Sequence, residues 1–177
     1  PARCLVVPVD VGKTAAMAVW LLARRHNPML GRRLVYVVDR RAVVDQATDL
    51  ANQLQERLKL PEHFELAESL GVANREGLAV STLRGQFADN GRWLEDPERP
   101  AIIVGTIDMV GSRLLFEGYG VSRKMRPYHA GLLGADTLVL LDEAHLCPPF
   151  QHLLRSVGCR ERFGAVGDGR RRLVPHF

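Results

Sequence analysis

Apolar and polar positions along the chain form two alternating kinds of segment. Short runs of β-branched and apolar residues predict four strands, at residues 4–7, 34–38, 102–104 and 138–141. Longer segments with apolar residues three and four positions apart predict two helices, at residues 14–25 and 42–58. Strands that are apolar along their whole length are usually buried on both faces. The pattern therefore predicts an α/β fold with a mainly parallel sheet flanked by helices.

Two segments interrupt this alternation. Residues 61–77 and 117–130 carry mixed polar, glycine and proline content, and we interpret them as surface excursions rather than as linkers between domains. A chain of 177 residues supports one hydrophobic core and leaves little room for a second. We therefore expect residues 1–177 to form a single domain.

The composition excludes several classes of protein. With 46% hydrophobic and 25% charged residues, the chain is neither a coiled coil, nor collagen, nor disordered throughout. Its longest apolar run is far shorter than the ~20 residues that span a bilayer. No signal-peptide pattern opens the sequence. We expect a cytoplasmic protein without a membrane partner.

Charge and cysteine content narrow the picture only slightly. Lysine occurs only at Lys13, Lys59 and Lys124, so arginine supplies nearly all of the 24 basic residues, and the net charge is +4. Arginine pairs well with phosphate, but GC-rich coding also enriches arginine. The three cysteines are odd in number and lack CxxC spacing, which favours reduced thiols over disulfides or a zinc site.

The first motif with recognisable chemistry is Gly12-Lys13-Thr14, between a predicted strand and a predicted helix. Backbone N–H groups and the helix dipole at such a position hold phosphate oxygens, while the lysine reaches the β and γ phosphates and the threonine binds Mg²⁺. We therefore assign Asp10, Val11, Gly12, Lys13 and Thr14 to an ATP site. The alternative is a helix that merely begins with Gly-Lys-Thr.

The second motif is the acidic pair Asp142-Glu143, which follows the apolar run at residues 138–141. In a Walker B arrangement, the first acid holds the Mg²⁺ of the bound nucleotide, and the second orients or activates the attacking water. A lone acidic pair in this place is more typical of a helix N-terminus. Because Gly12-Lys13-Thr14 precedes it in the same chain, we favour nucleotide binding.

Four segments together resemble a known family. Asp142-Glu143-Ala144-His145 resembles motif II of superfamily 2 helicases, and residues 35–46 resemble motif Ia. Residues 81–85 and 105–116 resemble the nucleic-acid motifs of the CRISPR-associated helicase-nuclease that degrades DNA in type I systems. The resemblance extends from about residue 5 to about residue 155. It implies a three-layer, RecA-like P-loop NTPase lobe.

The resemblance also implies an activity and the residues that perform it. The family is an ATP-driven translocase that moves 3′ to 5′ on single-stranded DNA after recruitment by an RNA-guided surveillance complex. By motif, Lys13 and Thr14 would bind the phosphates and Mg²⁺. Asp142 and Glu143 would serve the metal and the water, and His145 would couple the ATP site to the DNA site.

A path for the DNA backbone follows from the same resemblance. Arg41, Arg84, Gly85 and Thr106 would line it, with contacts that carry little sequence preference. From the residues alone, Arg40 and Arg41 are also typical of a solvated helix start.

Five further residues have a structural interpretation. Asp108 and Arg113, five positions apart, are typical of residues that solvate or cap a helix. Isolated aromatic side chains are more often packing residues than base-stacking platforms, and we interpret Trp93, Tyr119 and Tyr128 in that way.

The chain departs from the family pattern at Asp10, where the family has glycine. A carboxylate facing a triphosphate and a Cβ in a tight loop both oppose binding, so we expect weakened ATP affinity. The Ser-Ala-Thr motif III and a second lobe do not follow, and no His-Asp dipeptide occurs. We expect a fragment of a larger protein, without nuclease activity and with slow or absent hydrolysis, since a missing arginine finger costs ~10³ to 10⁵ in rate.

Two alternatives to the motor lobe stay open on these residues. One is a degenerate, non-hydrolysing P-loop module that binds only nucleotide or DNA. The other is a P-loop ATPase whose substrate is not DNA.

Overall fold

The computed structural model of the protein describes residues 15–84 and 91–158. The strands in this part of the chain are β1 (Arg33–Val38), β2 (Ala79–Leu83), β3 (Ala101–Thr106) and β4 (Thr137–Leu141). The α-helices are α1 (Ala15–His26), α2 (Arg41–Leu58), α3 (Phe64–Ser69), α4 (Arg92–Glu95), α5 (Ile107–Leu114), α6 (Arg126–Gly134) and α7 (Pro148–Gly158). Short 3₁₀ helices occupy Pro61–His63 and Ala144–Leu146.

The four strands form one parallel sheet in the order β2-β3-β1-β4. Val37 of β1 lies in register with Gly105 of β3 on one side and with Leu141 of β4 on the other. Leu83 of β2 lies in register with the same Gly105. The carboxyl ends of all four strands therefore reach the same edge of the sheet.

Both faces of the sheet are covered by helices. Leu34, Tyr36 and Val38 of β1 belong to a hydrophobic cluster with residues of α1, α2 and α3. Val35 and Val37, which alternate with them along the strand, belong to a second cluster with residues of α4, α5, α6 and α7. The prediction of an α/β fold with a parallel sheet buried on both faces is confirmed.

The predicted elements agree with the structure where the hydrophobic pattern was simple. The strands predicted at 34–38, 102–104 and 138–141 correspond to β1, β3 and β4, and the two predicted helices correspond to α1 and α2. The strand predicted at 4–7 lies outside the described residues. Strand β2 was missed because Ser81 and Thr82 interrupt its apolar run.

The interpretation of two segments as surface excursions was wrong in part. Within residues 61–77, Ala67, Leu70 and Val72 are buried in the core next to α3. Within residues 117–130, the first half of α6 buries His129 and Ala130. In the first segment, Ala67 and Leu70 lie at helical spacing, which the surrounding polar, glycine and proline residues concealed.

Arg33 secures the opposite, amino edge of the sheet. Its residue is 5% exposed, and its guanidinium donates three hydrogen bonds to carbonyl oxygens. The acceptors are Leu132 at 3.0 Å, Pro97 at 2.7 Å and Ala135 at 2.9 Å. Arg33 thereby joins β1 to the end of α6 and to the loop before β3.

Among the described helices, none is long and apolar enough to cross a membrane.

Candidate functional site

The carboxyl edge of the sheet collects residues from all four strands. Arg84 follows β2, Thr106 ends β3, Asp39 follows β1 and Asp142 follows β4. Neighbouring strands lie about 4.8 Å apart, so roughly 14 Å of edge separates the end of β2 from the end of β4. In open α/β sheets, ligands bind at this edge.

Hydrogen bonds at its backbone N–H and at both carboxylate oxygens hold Asp142 in place. Its backbone N–H donates to the carbonyl of Val37 on the neighbouring strand at 2.8 Å. Its Oδ1 accepts from the N–H of Glu143 at 2.8 Å, and its Oδ2 accepts from the hydroxyl of Tyr36 at 3.1 Å. The two carboxylate oxygens thus have different donors, one from the next peptide and one from β1.

The pairing of β1 with β4 explains the reach of Tyr36. Tyr36 lies in register with Leu140, and Asp142 is two positions further along the chain. Since side chains alternate between the faces of a strand, Tyr36, Leu140 and Asp142 share one face. Burial, followed by the charge of Asp142, raises the pKa of the Tyr36 hydroxyl, so this group stays protonated and acts as the donor.

Glu143 turns the chain at the end of β4. Its backbone has φ 50° and ψ 42°, the left-handed region that few residues other than glycine adopt. Leu146 N–H closes the turn on the Glu143 carbonyl at 2.8 Å, and the Gln151 side chain donates to the Ala144 carbonyl at 2.5 Å. The turn presents the Glu143 carboxylate beside the end of the strand.

His145 lies on the outside of this turn. Its side chain is 66% exposed, and its Nδ1 lies 3.6 Å from Glu143 Oε2. The structure therefore brings Asp142, Glu143 and His145 together at one strand end. Lys13 and the rest of residues 10–14, assigned to the ATP site, lie outside the described residues, directly before α1 in the sequence.

A cleft of about 370 Å³ opens between the start of α2 and the Asp142-Glu143 turn. It combines carboxylates and a guanidinium with an apolar floor, and it is lined by Val38, Asp39, Arg40, Val43, Asp142, Glu143 and Leu146. The sequence motifs assign neither Asp39 nor Tyr36 to this site. The signal for Tyr36 was a hydroxyl inside an otherwise apolar strand, which must find a partner when buried.

The donor set at Asp142 fits Mg²⁺. That ion prefers oxygen ligands and often binds to one or two carboxylates, with phosphates and waters completing its shell. Residues 15–84 and 91–158 hold no group of three or more His, Cys, Asp or Glu that forms a metal site by itself. A cation at Asp142 therefore depends on further ligands, for which Thr14 is the candidate of the sequence analysis.

Two of the residues assigned to the DNA path lie at the carboxyl edge. The Arg84 guanidinium forms an ion pair with Asp45 of α2, and both side chains are about half exposed. Thr106 is buried and caps α5, because its hydroxyl accepts from the N–H of Met109 at 3.4 Å. Arg41 is the first residue of α2, and Gly85 lies outside the described residues.

The three aromatic residues that were interpreted as packing residues have different environments. Trp93 is 1% exposed and packs edge-on against His129, with ring centroids 5.1 Å apart, which confirms its packing role. Tyr119 is 61% exposed, so that interpretation was wrong for Tyr119. The Tyr128 hydroxyl donates to the Leu94 carbonyl at 3.0 Å.

The two polar residues of α5 also differ. Asp108 is exposed in the first turn of the helix. Arg113 is buried and donates to the Met109 carbonyl at 3.0 Å, so it does not solvate the helix as expected.

The known proteins offer no independent assignment for this site. Comparison of the chain with protein-family models, curated proteins and solved structures finds no match.

Proposed function

We propose that the chain is the ATP-binding motor lobe of an ATP-dependent helicase, a translocase on single-stranded DNA in CRISPR interference. The observation that supports this most is the position of Asp142 and Glu143. The pair follows a buried parallel strand, with Asp142 hydrogen-bonded at both carboxylate oxygens. Arg84 and Thr106 lie on the same sheet edge. The resemblance in the sequence supplies the rest of the proposal.

In this mechanism each residue has one task. Lys13 and the backbone of residues 10–14 would bind the phosphates, and Thr14 and Asp142 would hold Mg²⁺, which would neutralise phosphate charge. Glu143 orients the attacking water and accepts its proton. Arg84 contacts the DNA backbone three strands away. His145, exposed next to Glu143, couples the two sites.

The same proposal includes what only the resemblance implies. The lobe belongs to a RecA-like P-loop NTPase, works in the cytoplasm with a second lobe, and is recruited by an RNA-guided surveillance complex. The arginine finger comes from the second lobe, so this chain alone hydrolyses ATP slowly or not at all.

The first experiment measures nucleotide binding by the 177-residue chain. A fluorescent ATP analogue is titrated in the presence of Mg²⁺ into the wild type, Lys13→Ala and Asp142→Asn. We expect both variants to bind at least ~10-fold more weakly, since each loses a charge-assisted interaction. Asp136→Asn is the matched control, because Asp136 pairs with Arg32 at the amino edge. No binding by the wild type, or equal binding by D142N and D136N, would contradict the proposal.

A second measurement separates the motor from a non-hydrolysing module. In a protein extended through a second lobe, single-stranded DNA should increase the rate of ATP turnover. A rate that DNA leaves unchanged would favour the module that only binds nucleotide or DNA, or an ATPase with another substrate.

A further inference from the structure

We propose that Tyr36 is a positioning residue for Asp142: its hydroxyl fixes the carboxylate in the orientation that receives the divalent cation of the nucleotide. This inference rests on the proposed function, because it takes Asp142 as the ligand of that cation. It adds a residue that none of the sequence motifs assigns to ATP or metal binding.

Hydrogen bonds on both oxygens fix the orientation of the Asp142 carboxylate. A carboxylate held by one hydrogen bond still rotates about its terminal torsion, which is broad in aspartate. Asp142 has a donor on each oxygen, Glu143 N–H at 2.8 Å on Oδ1 and Tyr36 O–H at 3.1 Å on Oδ2. Two donors from different segments of the chain define the plane of the group. A carboxylate oxygen has two lone pairs, so a hydrogen-bond donor on one of them does not by itself prevent the oxygen from also binding a cation.

Burial fixes the position of the Tyr36 side chain. The residue is 3% exposed and belongs to the cluster that includes Val38, Val44 and Leu140. Its ring is therefore held by packing, and its hydroxyl has a fixed position relative to β4. Pairing of β1 with β4 continues to Val37 and Leu141, directly before the acidic pair. Tyr36 thus transmits the rigidity of the sheet to a carboxylate at its edge.

Residues that hydrogen-bond to a metal ligand affect how tightly the metal binds. Ligating groups are usually oriented by outer hydrogen bonds, and loss of such a partner typically lowers metal affinity ~10- to 100-fold. Phenylalanine would fill the same apolar space as the tyrosine ring. Packing alone therefore does not require the hydroxyl, whereas orientation of Asp142 does.

The test compares Tyr36→Phe with the wild type of the 177-residue chain. The Mg²⁺ concentration at half-maximal binding of the fluorescent ATP analogue is measured, and Mn²⁺ binding with ATP is followed by EPR. We expect Y36F to raise the Mg²⁺ midpoint and the Mn²⁺ dissociation constant ~10-fold. Tyr128→Phe is the matched control, since it loses a tyrosine hydrogen bond of 3.0 Å to the Leu94 carbonyl, away from Asp142.

A double variant shows whether Tyr36 acts through Asp142. In the Asp142→Asn background, Y36F should change neither cation constant further. Thermal melting of Y36F and Y128F establishes the temperature range in which each variant is folded, and cation binding is measured within that range.

The outcomes are distinguishable. If the wild type binds Mg²⁺ and ATP through Asp142 but Y36F has the wild-type midpoint, the role of Tyr36 is overturned and the proposed function stands. An equal effect of Y36F and Y128F, or an additional loss in the double variant, overturns it as well. If D142N leaves the cation dependence unchanged, the proposed function fails and the role of Tyr36 fails with it.

Discussion

At the scale of single residues, Glu143 has a backbone conformation that few residues other than glycine adopt. A residue other than glycine in the left-handed region costs roughly 1–3 kcal/mol, and such residues cluster where function requires them. Here the surrounding hydrogen bonds from Leu146 and Gln151 hold the turn closed. As a result, the carboxylates of Asp142 and Glu143 both lie at the end of β4, but their environments differ. The first is held by two donors, and the second lies beside the exposed His145.

Among single residues, Asp10 gives the sharpest prediction about ATP affinity. Under the proposed function, Asp10→Gly should bind the fluorescent ATP analogue more tightly than the wild type, because it removes a negative charge and a Cβ at a position where the resembled family has glycine. A charge repulsion of about 1 kcal/mol corresponds to ~5-fold in the dissociation constant.

Asp10→Asn is the control for that measurement. It removes the charge but keeps the Cβ, so it separates repulsion from loop conformation. Equal dissociation constants for the wild type and D10G would show that Asp10 does not weaken binding.

At the scale of elements, the contact between β2 and α2 determines where the Arg84 guanidinium lies at the carboxyl edge. The ion pair between Arg84 and Asp45 joins the end of β2 to the second turn of α2. Both side chains are about half exposed, so the pair contributes little to stability. Under the proposed function, DNA phosphates would compete with this weakly held carboxylate for the guanidinium.

Arg84→Gln should weaken the binding of single-stranded DNA by this chain. Removal of one phosphate-binding cation reduces the slope of log affinity against log salt by about 0.7 for single strands. Fluorescence anisotropy at several salt concentrations measures both the affinity and the slope. Arg57→Gln is the control, since Arg57 is exposed in the last turn of α2, at the end of the helix far from the carboxyl edge. An unchanged salt slope for R84Q would remove Arg84 from the DNA path.

At the scale of the whole molecule, the two edges of the sheet carry different kinds of residue. The carboxyl edge carries Asp142, Glu143 and Arg84, whereas the amino edge is closed by the buried Arg33. The three carbonyls that Arg33 satisfies come from the end of α6 and from the loop before β3. Arg33 is therefore a stability residue at a distance from the site.

Arg33→Leu should lower the free energy of unfolding by about 3 kcal/mol or more, because it leaves three carbonyls without their donor. Urea denaturation measures this as a lower midpoint. Arg32→Leu is the neighbouring control, since Arg32 forms a partly exposed ion pair with Asp136 at 3.3 Å and should cost at most ~1 kcal/mol. Equal midpoints for the two variants would contradict the role assigned to Arg33.

Part of the fold could be predicted from the chain because the hydrophobic pattern is a local property. Runs such as residues 34–38 indicate a buried strand wherever the strand is placed in the sheet. Strand β2 was missed because Ser81 and Thr82 interrupt its apolar run, although the Ser81 hydroxyl accepts a hydrogen bond inside the protein from the N–H of Trp93 at 3.2 Å. A polar residue satisfied by a distant group cannot be distinguished from a surface residue by its pattern.

The site could be predicted to the same extent. The acidic pair Asp142-Glu143 was identified because it follows an apolar run, which is visible in the sequence. The partners of those residues were not, since Tyr36 precedes Asp142 by 106 positions and Arg84 follows Asp45 by 39. Burial of Thr106 likewise depends on how α5 packs after β3.

Apolar periodicity and residue types at short spacing were enough to establish the α/β class, the parallel sheet and the acidic pair at a strand end. The strand order β2-β3-β1-β4, and with it the set of side chains that meet across the sheet, came from tertiary packing alone. The Tyr36–Asp142 hydrogen bond exists because β1 pairs with β4 in a register that places Tyr36 opposite Leu140. No local pattern contains that register, because strand pairing over such separations is fixed by packing of the whole core.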